Sequence, residues 1–240
     1  MRIHEVSDHA FQLRRLGLVN CYLVRETDGY TLIDTGLSGS AEDILAAARK
    51  LAVAAEIQRI VLTHAHLDHT GSLDQLAHLL GNVQIAIGRR EARLLPRKPG
   101  QDRSLDPGEP QSPLRGIYSG VRSTPTQLLT PGERLGSLLV LATPGHTPGH
   151  LSFLDERDGT LYAGDALITV GGHVVISGWA PWYFPLPNIA TWHRPTNLES
   201  VRRLFELASV RPMEQIAPGH GPVLPLSPKV LALAIVEAEQ

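Results

Sequence analysis

Apolar residues form short runs near the start of the chain, and turn-forming residues separate them. Residues 19–24 and 30–33 are apolar and rich in β-forming side chains, and Asp28-Gly29 lies between them. An Asp-Gly pair between two apolar runs favours a tight hairpin turn. The pattern therefore predicts two antiparallel strands, the second of which ends just before Asp34.

Helical and strand-like patterns alternate after this hairpin. Residues 41–51 predict a helix with acidic residues in its first turn and basic residues in its last, which suits the helix dipole. Residues 57–62 predict a short buried strand, residues 71–80 a second helix and residues 83–87 another strand. This alternation predicts an α/β fold.

The second half of the chain repeats the pattern of strands and helices. The predicted elements are a strand at 133–141, a hairpin of 151–154 with 160–163, a helix from a cap at Asn197 to residue 208, a strand at 215–217 and a last helix that begins at Ser227. No linker-like composition separates the two halves. The sequence therefore predicts one domain, residues 1–240, built from two similar halves.

Two long segments lack regular periodicity. Residues 96–116 are rich in proline, glycine and charge, which predicts a loop over a surface or a site. Residues 171–195, the aromatic segment, hold all three tryptophans together with Tyr183 and Phe184. Three interpretations of this segment stay open: an apolar pocket for an acyl group, a homodimer contact, or a long loop held down by packing. The sequence does not fix a role for Tyr183.

Composition narrows the class of protein. The chain has 240 residues, 42% hydrophobic and 19% charged, which is enough for a sizeable core. The net charge of -2 argues against a nucleic-acid partner. Cys21 is the single cysteine, so no internal disulfide can form, and we see neither a signal-peptide core nor an apolar run long enough to span a membrane. We expect a soluble cytoplasmic protein that acts on a small molecule.

Four groups that bind metals lie close together in the first half: His64, His66, Asp68 and His69. Burying a polar ring without a partner costs about 1–3 kcal/mol, unless something binds the ring. A divalent metal ion is the usual partner of such a set, and two ions fit the number of groups better than one. The cluster therefore predicts a metal site.

Residues downstream can complete this site. In an extended segment, residues two apart face the same way, so His64 and His66 can bind one ion while Asp68 and His69 face a neighbouring point. His146 and His220 both follow Pro-Gly turns at strand ends, and each can complete one ion. Asp165, also at a strand end, has two carboxylate oxygens and can bridge both ions.

This ligand set is typical of a catalytic metal site. Each ion has three or four protein ligands and an open position, whereas structural sites are closed. Two ions about 3.5–4 Å apart can hold a shared water as hydroxide near neutral pH and polarise the oxygen of the group under attack. The ligands are nitrogen and oxygen without thiolate, so zinc fits best, with Mn²⁺ and Fe²⁺ as alternatives.

The four motifs together resemble the metallo-β-lactamase superfamily in order and rough spacing across nearly the whole chain. They are His64-x-His66-x-Asp68-His69, Thr143-Pro144-Gly145-His146, Gly164-Asp165 and Pro218-Gly219-His220-Gly221. The resemblance implies an αββα four-layer sandwich with a dinuclear site at one edge. It assigns His64, His66 and His146 to one ion. It assigns Asp68, His69 and His220 to the other, with Asp165 as the bridge. Asp34 matches a position that supports the ligands without touching metal.

The resemblance also separates branches of the superfamily. Asp165 resembles the bridging carboxylate of hydroxyacylglutathione hydrolases and acyl-homoserine lactonases, which the true β-lactamases lack. Flavodiiron oxidoreductases carry Glu at the position of His66, so that branch is disfavoured. Persulfide dioxygenases share the motif but use a single iron, and they remain the alternative. The nuclease branch is less favoured because the chain lacks a basic excess.

These observations predict an enzyme, a dinuclear metal-dependent hydrolase. A metal-bound hydroxide attacks an ester-like carbonyl in a thioester or a lactone, and metal and protein donors stabilise the oxyanion. Asp68 holds one ion and orients the attacking water or takes up its proton. His150, four positions after His146, is interpreted as a supporting or structural residue rather than a ligand.

Overall fold

The computed structural model of the protein describes residues 1–51, 56–95, 103–118 and 120–240. Contacts divide the chain into two compact units. The first unit comprises Met1–Arg103 and Ile117–Thr130, and the second comprises Ser104–Gly116 and Pro131–Gln240. No helix within the described ranges is long and apolar enough to cross a membrane.

The first unit is built around one mixed sheet. Its described elements are β1 (Arg2–Ser7), β2 (Ala10–Arg15), β3 (Val19–Glu26), β4 (Gly29–Ile33), α1 (Ala41–Leu51), β5 (Ile57–Leu62), α2 (Leu67–Thr70), α3 (Leu73–Leu80), β6 (Gln84–Gly88), a 3-10 turn (Glu91–Leu94) and β7 (Gln127–Leu129). The strands lie in the order β1-β2-β3-β4-β5-β6-β7. The first four are antiparallel, and β4 to β7 are parallel.

Several predicted elements of the first unit are confirmed. The hairpin is β3 with β4, in which Leu23 pairs with Leu32. Helix α1 has its acidic and basic turns as predicted, and it buries Ile44 on its apolar side. Cys21 is buried on β3, and burial, together with the charge of Asp34, raises the pKa of its thiol.

The helix predicted for residues 71–80 is wrong at its start. The chain forms the single turn α2, breaks at Gly71 and then continues as α3, for which Ser72 is the N-cap residue. A Cβ atom on Gly71 would lie 2.5 Å from the backbone nitrogen of Ser38, so this close approach requires glycine. Asp68 and His69 lie on the helical turn α2, just before this break.

The second unit contains a second mixed sheet and its longest helices. Its described elements are β8 (Arg134–Leu135), β9 (Leu138–Ala142), β10 (Leu151–Asp155), β11 (Thr160–Gly164), β12 (Leu167–Ile168), β13 (Val175–Ile176), α4 (Leu186–Ala190), α5 (Arg194–Ala208), β14 (Gln215–Pro218), β15 (Leu224–Pro225) and α6 (Pro228–Glu239). The larger sheet has the order β15-β14-β11-β10-β9-β8, and β12 pairs with β13 separately. The core of this unit includes Leu154, Leu161, Ile216 and Leu231.

The direction of the strands in the second sheet determines where their ends meet. β9 and β11 are both antiparallel to β10, and β14 is parallel to β11. The three strands β9, β11 and β14 therefore run the same way, and their carboxyl ends lie at one edge of the sheet. The predicted hairpin of 151–154 with 160–163 is confirmed as β10 and β11.

Three further predictions need correction or restriction. The strand predicted for 133–141 is divided into β8 and β9, with Gly136 at positive φ between them. The helix predicted from Asn197 begins at Arg194 instead, because the His193 side chain accepts the Thr196 N–H and caps it. Of the loop predicted for 96–116, residues 96–102 lie outside the described residues, and 103–116 contain neither helix nor strand. The start of α6 after Ser227 is confirmed.

Candidate metal centre

The first unit holds the cluster that begins directly after β5. His64 and His66 are buried, and His64 Nε2 lies 3.1 Å from His66 Nδ1. His69, on α2, is also buried, and its ring centre lies 4.1 Å from that of His64. Asp68 remains partly exposed, with Oδ2 3.7 Å from His69 Nε2. The structure therefore brings the four predicted groups of this unit together.

Asp34 and Thr63 set the proton positions of two of these histidines. The Thr63 hydroxyl lies 2.8 Å from Asp34 Oδ2 and 2.9 Å from His64 Nδ1. A carboxylate can only accept, so Thr63 donates to Asp34 and accepts from His64 Nδ1–H. Asp34 Oδ2 also accepts from His69 Nδ1–H at 2.7 Å. Both imidazoles therefore keep the Nε2 lone pair available for a metal ion.

The second unit holds a cluster centred on Asp165. His146, Asp165 and His220 follow β9, β11 and β14, whose carboxyl ends share one sheet edge. Asp165 Oδ2 lies 3.5 Å from His146 Nε2 and 3.1 Å from His220 Nε2. All three residues are at least 95% buried. The structure thus brings together three groups that are far apart in sequence.

His150 holds the backbone of Asp165 through a directed chain of hydrogen bonds. The Asp165 N–H donates to His150 Nε2 at 3.0 Å, so the proton of His150 is on Nδ1 and is donated to the Thr143 hydroxyl at 2.8 Å. Thr143 in turn contacts the Ser152 hydroxyl at 2.8 Å, and Ser152 donates to the carbonyl of Ala163 at 3.1 Å. This geometry agrees with the predicted supporting role of His150.

The two Pro-Gly-His turns need glycine for close backbone approach. Gly145 has φ +136, and a Cβ atom there would lie 2.2 Å from the backbone nitrogen of Asn197. Gly221, which follows His220, has φ +106, and a Cβ atom would lie 2.3 Å from the Thr169 hydroxyl. Side chains at these positions would force the turns apart. The glycines therefore help to place the two histidines.

The donor groups of both clusters suit divalent metal ions. Two nitrogens bound to one tetrahedral ion at about 2.0–2.1 Å are about 3.4 Å apart. The 3.1 Å between His64 and His66 is close to this spacing, as are the distances from Asp165 to its two histidines. Imidazole and carboxylate donors without thiolate favour zinc, manganese or iron over softer metals. The residues therefore fit a metal site.

The aromatic segment divides into buried and exposed side chains. Phe184 is buried and its ring centre lies 5.5 Å from that of His220, while Trp192 is buried and donates from its indole nitrogen to the carbonyl of Ser112. In contrast, Trp182 is 88% and Tyr183 52% exposed. Part of this segment therefore packs beside the second cluster, and part of it faces solvent.

Sequence reasoning missed the hydroxyl groups that support the histidines. Thr63 stands directly before His64, and this adjacency was the one local signal available. Thr143 lies seven positions before His150, and Thr191 lies 45 positions after His146, so neither contact follows from a neighbouring position as that of Thr63 does.

Two known proteins are similar in sequence to this chain. The chain is 44% identical over 223 residues to YobT of Bacillus subtilis (strain 168), a match that covers 92% of this chain and 91% of YobT. It is 31% identical over 142 residues to a hydroxyacylglutathione hydrolase of Pseudomonas putida strain F1, covering 58% of this chain and 43% of that protein. The second relative is thus matched over less than half of its length.

A solved structure and a family model identify the fold. The crystal structure of TTHA1623 in a di-iron-bound form superposes with a TM-score of 0.63 at 27% identity and covers 92% of this chain and 95% of that one. The model of the metallo-beta-lactamase superfamily matches residues 14–220. The predicted α/β fold of this family and the metal-dependent hydrolase class are confirmed. The chain belongs to the metallo-beta-lactamase superfamily.

Proposed function

We propose that this hydrolase uses two divalent metal ions to cleave a thioester or lactone bond in a small molecule. The bound ions would activate a water nucleophile near neutral pH and polarise the carbonyl under attack. The family assignment supplies the ligands. On that assignment, His64, His66 and His146 would hold one ion, Asp68, His69 and His220 would hold the other, and Asp165 would be shared.

One observation carries this proposal. A single oxygen of Asp165 lies within 3.5 Å of His146 Nε2 and 3.1 Å of His220 Nε2, two nitrogens that the family assigns to different ions. This placement supports the proposed bridging role of Asp165, the feature by which the resemblance separates the hydroxyacylglutathione hydrolase and lactonase branches from the true β-lactamases. The position of Asp165 therefore favours ester-like substrates over antibiotic β-lactams.

The residues around the ions have distinct tasks. Asp68, with 31% of its side chain exposed, can orient the attacking water and pass its proton to solvent. Asp34 holds His69, and through Thr63 it also holds His64, so the ligands stay in place when charge develops at the carbonyl. His150 fixes the backbone of Asp165 in the same way.

Zinc is the proposed metal, because the donor set contains imidazole and carboxylate and because a hydrolase needs no redox change. The di-iron-bound form of TTHA1623 supports a site for two ions and keeps Fe²⁺ as an alternative. Mn²⁺ is the other alternative. A single iron per chain would instead favour the persulfide dioxygenase alternative.

The substrate is proposed to be a thioester first and a lactone second. The match to a hydroxyacylglutathione hydrolase supports the thioester.

The exposed side chains of the aromatic segment suit either an acyl group of the substrate or the predicted homodimer contact through residues 171–195. They are Trp182, Tyr183, Leu186 and Ile189. Sedimentation of the purified protein tests that contact. The cytoplasmic location predicted from the sequence is likewise a proposal.

The test combines metal analysis with an activity panel on one preparation. Protein purified without added metal is analysed for metal content and assayed with a thioester, a lactone, a phosphodiester and a persulfide. We expect two ions per chain, hydrolysis of the thioester or lactone, loss of activity on chelation and recovery with zinc or manganese. Phosphodiester cleavage, or one iron with persulfide oxidation, would contradict the proposal.

Asp165→Ala tests the bridge, and Glu199→Gln is its control. Removal of the shared ligand should weaken binding of both ions, whereas Glu199 lies on α5 and its carboxylate is solvent-exposed. Normal binding of two ions by Asp165→Ala would exclude the bridging role.

A further inference from the structure

Thr191 follows α4 and is buried against the His146 turn. Its hydroxyl oxygen lies 2.6 Å from the carbonyl oxygen of Pro187 and 3.1 Å from His146 Nδ1. The backbone N–H of Thr191 donates to the same carbonyl at 3.0 Å. One side chain thus connects the end of the aromatic segment to a predicted metal ligand.

The directions of these hydrogen bonds follow from the chemistry of the groups. A carbonyl oxygen can only accept, so the single hydroxyl proton of Thr191 goes to Pro187. The remaining lone pair of Thr191 must then accept from His146 Nδ1–H. A neutral imidazole has one N–H, so His146 Nε2 keeps its lone pair. This is the nitrogen that lies 3.5 Å from Asp165 Oδ2.

The backbone around Thr191 holds the same turn. Trp192 N–H donates to the carbonyl of His146, and His193 N–H donates to the carbonyl of Gly145, both at 2.9 Å. The Ser200 hydroxyl donates to the carbonyl of Pro144 at 2.6 Å. Trp192, His193 and Ser200 therefore fix the backbone of the turn, and Thr191 contacts the ring of His146.

We infer that Thr191 is a positioning residue, which holds His146 as the Nδ1–H tautomer so that Nε2 is ready to bind metal. The inference rests on the proposed function, because it requires His146 to be a ligand. Through Thr191, the end of the aromatic segment would contribute to metal binding, in addition to any contact with substrate or with a second chain.

The first experiment reads the tautomer in metal-free protein. Histidine ring ¹⁵N spectra are recorded at about pH 8, above the ordinary histidine pKa of about 6.5, and His146→Gln identifies the His146 signals. We expect the Nδ1–H form in the wild type. In Thr191→Val the Nδ1–H loses its acceptor, so the population should shift toward Nε2–H. An unchanged spectrum in Thr191→Val would overturn the inference.

The second experiment measures zinc affinity by competition with a chromogenic chelator. Loss of a group that orients a metal-binding histidine typically weakens metal binding by about 10- to 100-fold, and we expect this of Thr191→Val. Thr191→Ser keeps the hydroxyl and should restore most of the affinity. Equal loss in the Ser and Val variants would show that packing rather than the hydrogen bond matters, and would overturn the inference.

Thr196→Val is the matched control. Thr196 also has its hydroxyl near a histidine Nδ1, 2.7 Å from that of His193, but it donates to this nitrogen rather than accepting from it, and His193 is not a predicted ligand. Its zinc affinity should equal that of the wild type. If Thr191→Val does not fold, Thr191→Ala replaces it. We expect Thr191→Ala to weaken zinc binding by the same factor, about 10- to 100-fold.

His146→Gln separates the inference from the proposed function. If zinc binding is normal in His146→Gln, the assignment of His146 as a ligand fails, and the inference fails with it. If His146→Gln binds weakly while Thr191→Val binds as the wild type does, the proposed function stands and the inference alone fails.

Discussion

The two clusters of ligand candidates are held in different ways. In the first unit, His64, His66, Asp68 and His69 lie within six positions of one another, and a buried carboxylate, Asp34, supports two of the histidines. In the second unit, His146, Asp165 and His220 come from three strand ends, and neutral groups hold His146 and Asp165. The first cluster depends on one charge, whereas the second depends on several weaker contacts.

Physical chemistry explains the consequences of this difference. Asp34 accepts hydrogen bonds from the Thr63 backbone, the Thr63 hydroxyl and His69, and such bonds to a buried charge are about twice as strong as neutral ones. Without those donors, the buried carboxylate would be costly. Removal of Asp34 should therefore affect the first cluster more than removal of any one neutral group affects the second.

The largest expected effect is loss of a ligand from the first cluster. His66→Ala should remove one of the two ions, and activity should fall by more than the roughly 100-fold typical of supporting residues. Metal analysis and hydrolysis assays on the same sample measure the number of bound ions and the activity. His78→Ala changes an exposed histidine on α3 and should leave both unchanged. A fully active His66→Ala protein would show that the first cluster is not catalytic.

The next effect compares the supports of the two clusters directly. In metal-free protein, Asp34→Asn should destabilise the fold by about 2–3 kcal/mol, because it removes charge-assisted bonds and turns an amide group toward donors. Thr143→Val interrupts the neutral chain from His150 to Ser152 and should cost about 1 kcal/mol. Urea denaturation measures both free energies of unfolding. Equal losses would remove the distinction between charged and neutral support.

The same contrast explains what could be predicted from the sequence. The motif from His64 to His69 was visible because its residues are neighbours, and helix α1 was visible because its end charges follow a local rule. His146, Asp165 and His220 were found only because each follows a turn or strand end that the superfamily shares. Their proximity depends on the strand order β14-β11-β10-β9, which no local pattern encodes.

Two further features depend on contacts between residues that are distant in sequence. The break at Gly71 coincides with a close approach to the backbone at Ser38. Asn197 has the features of a cap residue, yet its amide donates to the carbonyls of Ala166 and Ser177 from inside the helix. At Asn197, tertiary hydrogen bonds outweigh the local preference, and the nearby His193 caps α5 instead.

The smallest effect tests whether burial gives Asp34 its importance. Asp74, on α3, also accepts hydrogen bonds, from the backbone of Arg122 and from the backbone and hydroxyl of Ser123, but it is partly exposed. Burial alone would raise the pKa of Asp74, but the hydrogen bonds from Ser123 and Arg122 outweigh it, and the pKa is lowered. Because solvent screens this carboxylate, Asp74→Asn should cost about 1 kcal/mol or less at neutral pH.

The pH dependence of this cost has a definite sign. A carboxyl group with a lowered folded pKa stabilises the protein above its unfolded pKa of about 3.9, and the stabilisation is lost as the pH falls through the folded pKa. The difference between Asp74→Asn and the wild type should therefore shrink in denaturation experiments as the pH falls below the unfolded pKa of about 3.9. A difference as large as that of Asp34→Asn would mean that the number of hydrogen bonds, rather than burial of the charge, determines how strongly a carboxylate supports this unit.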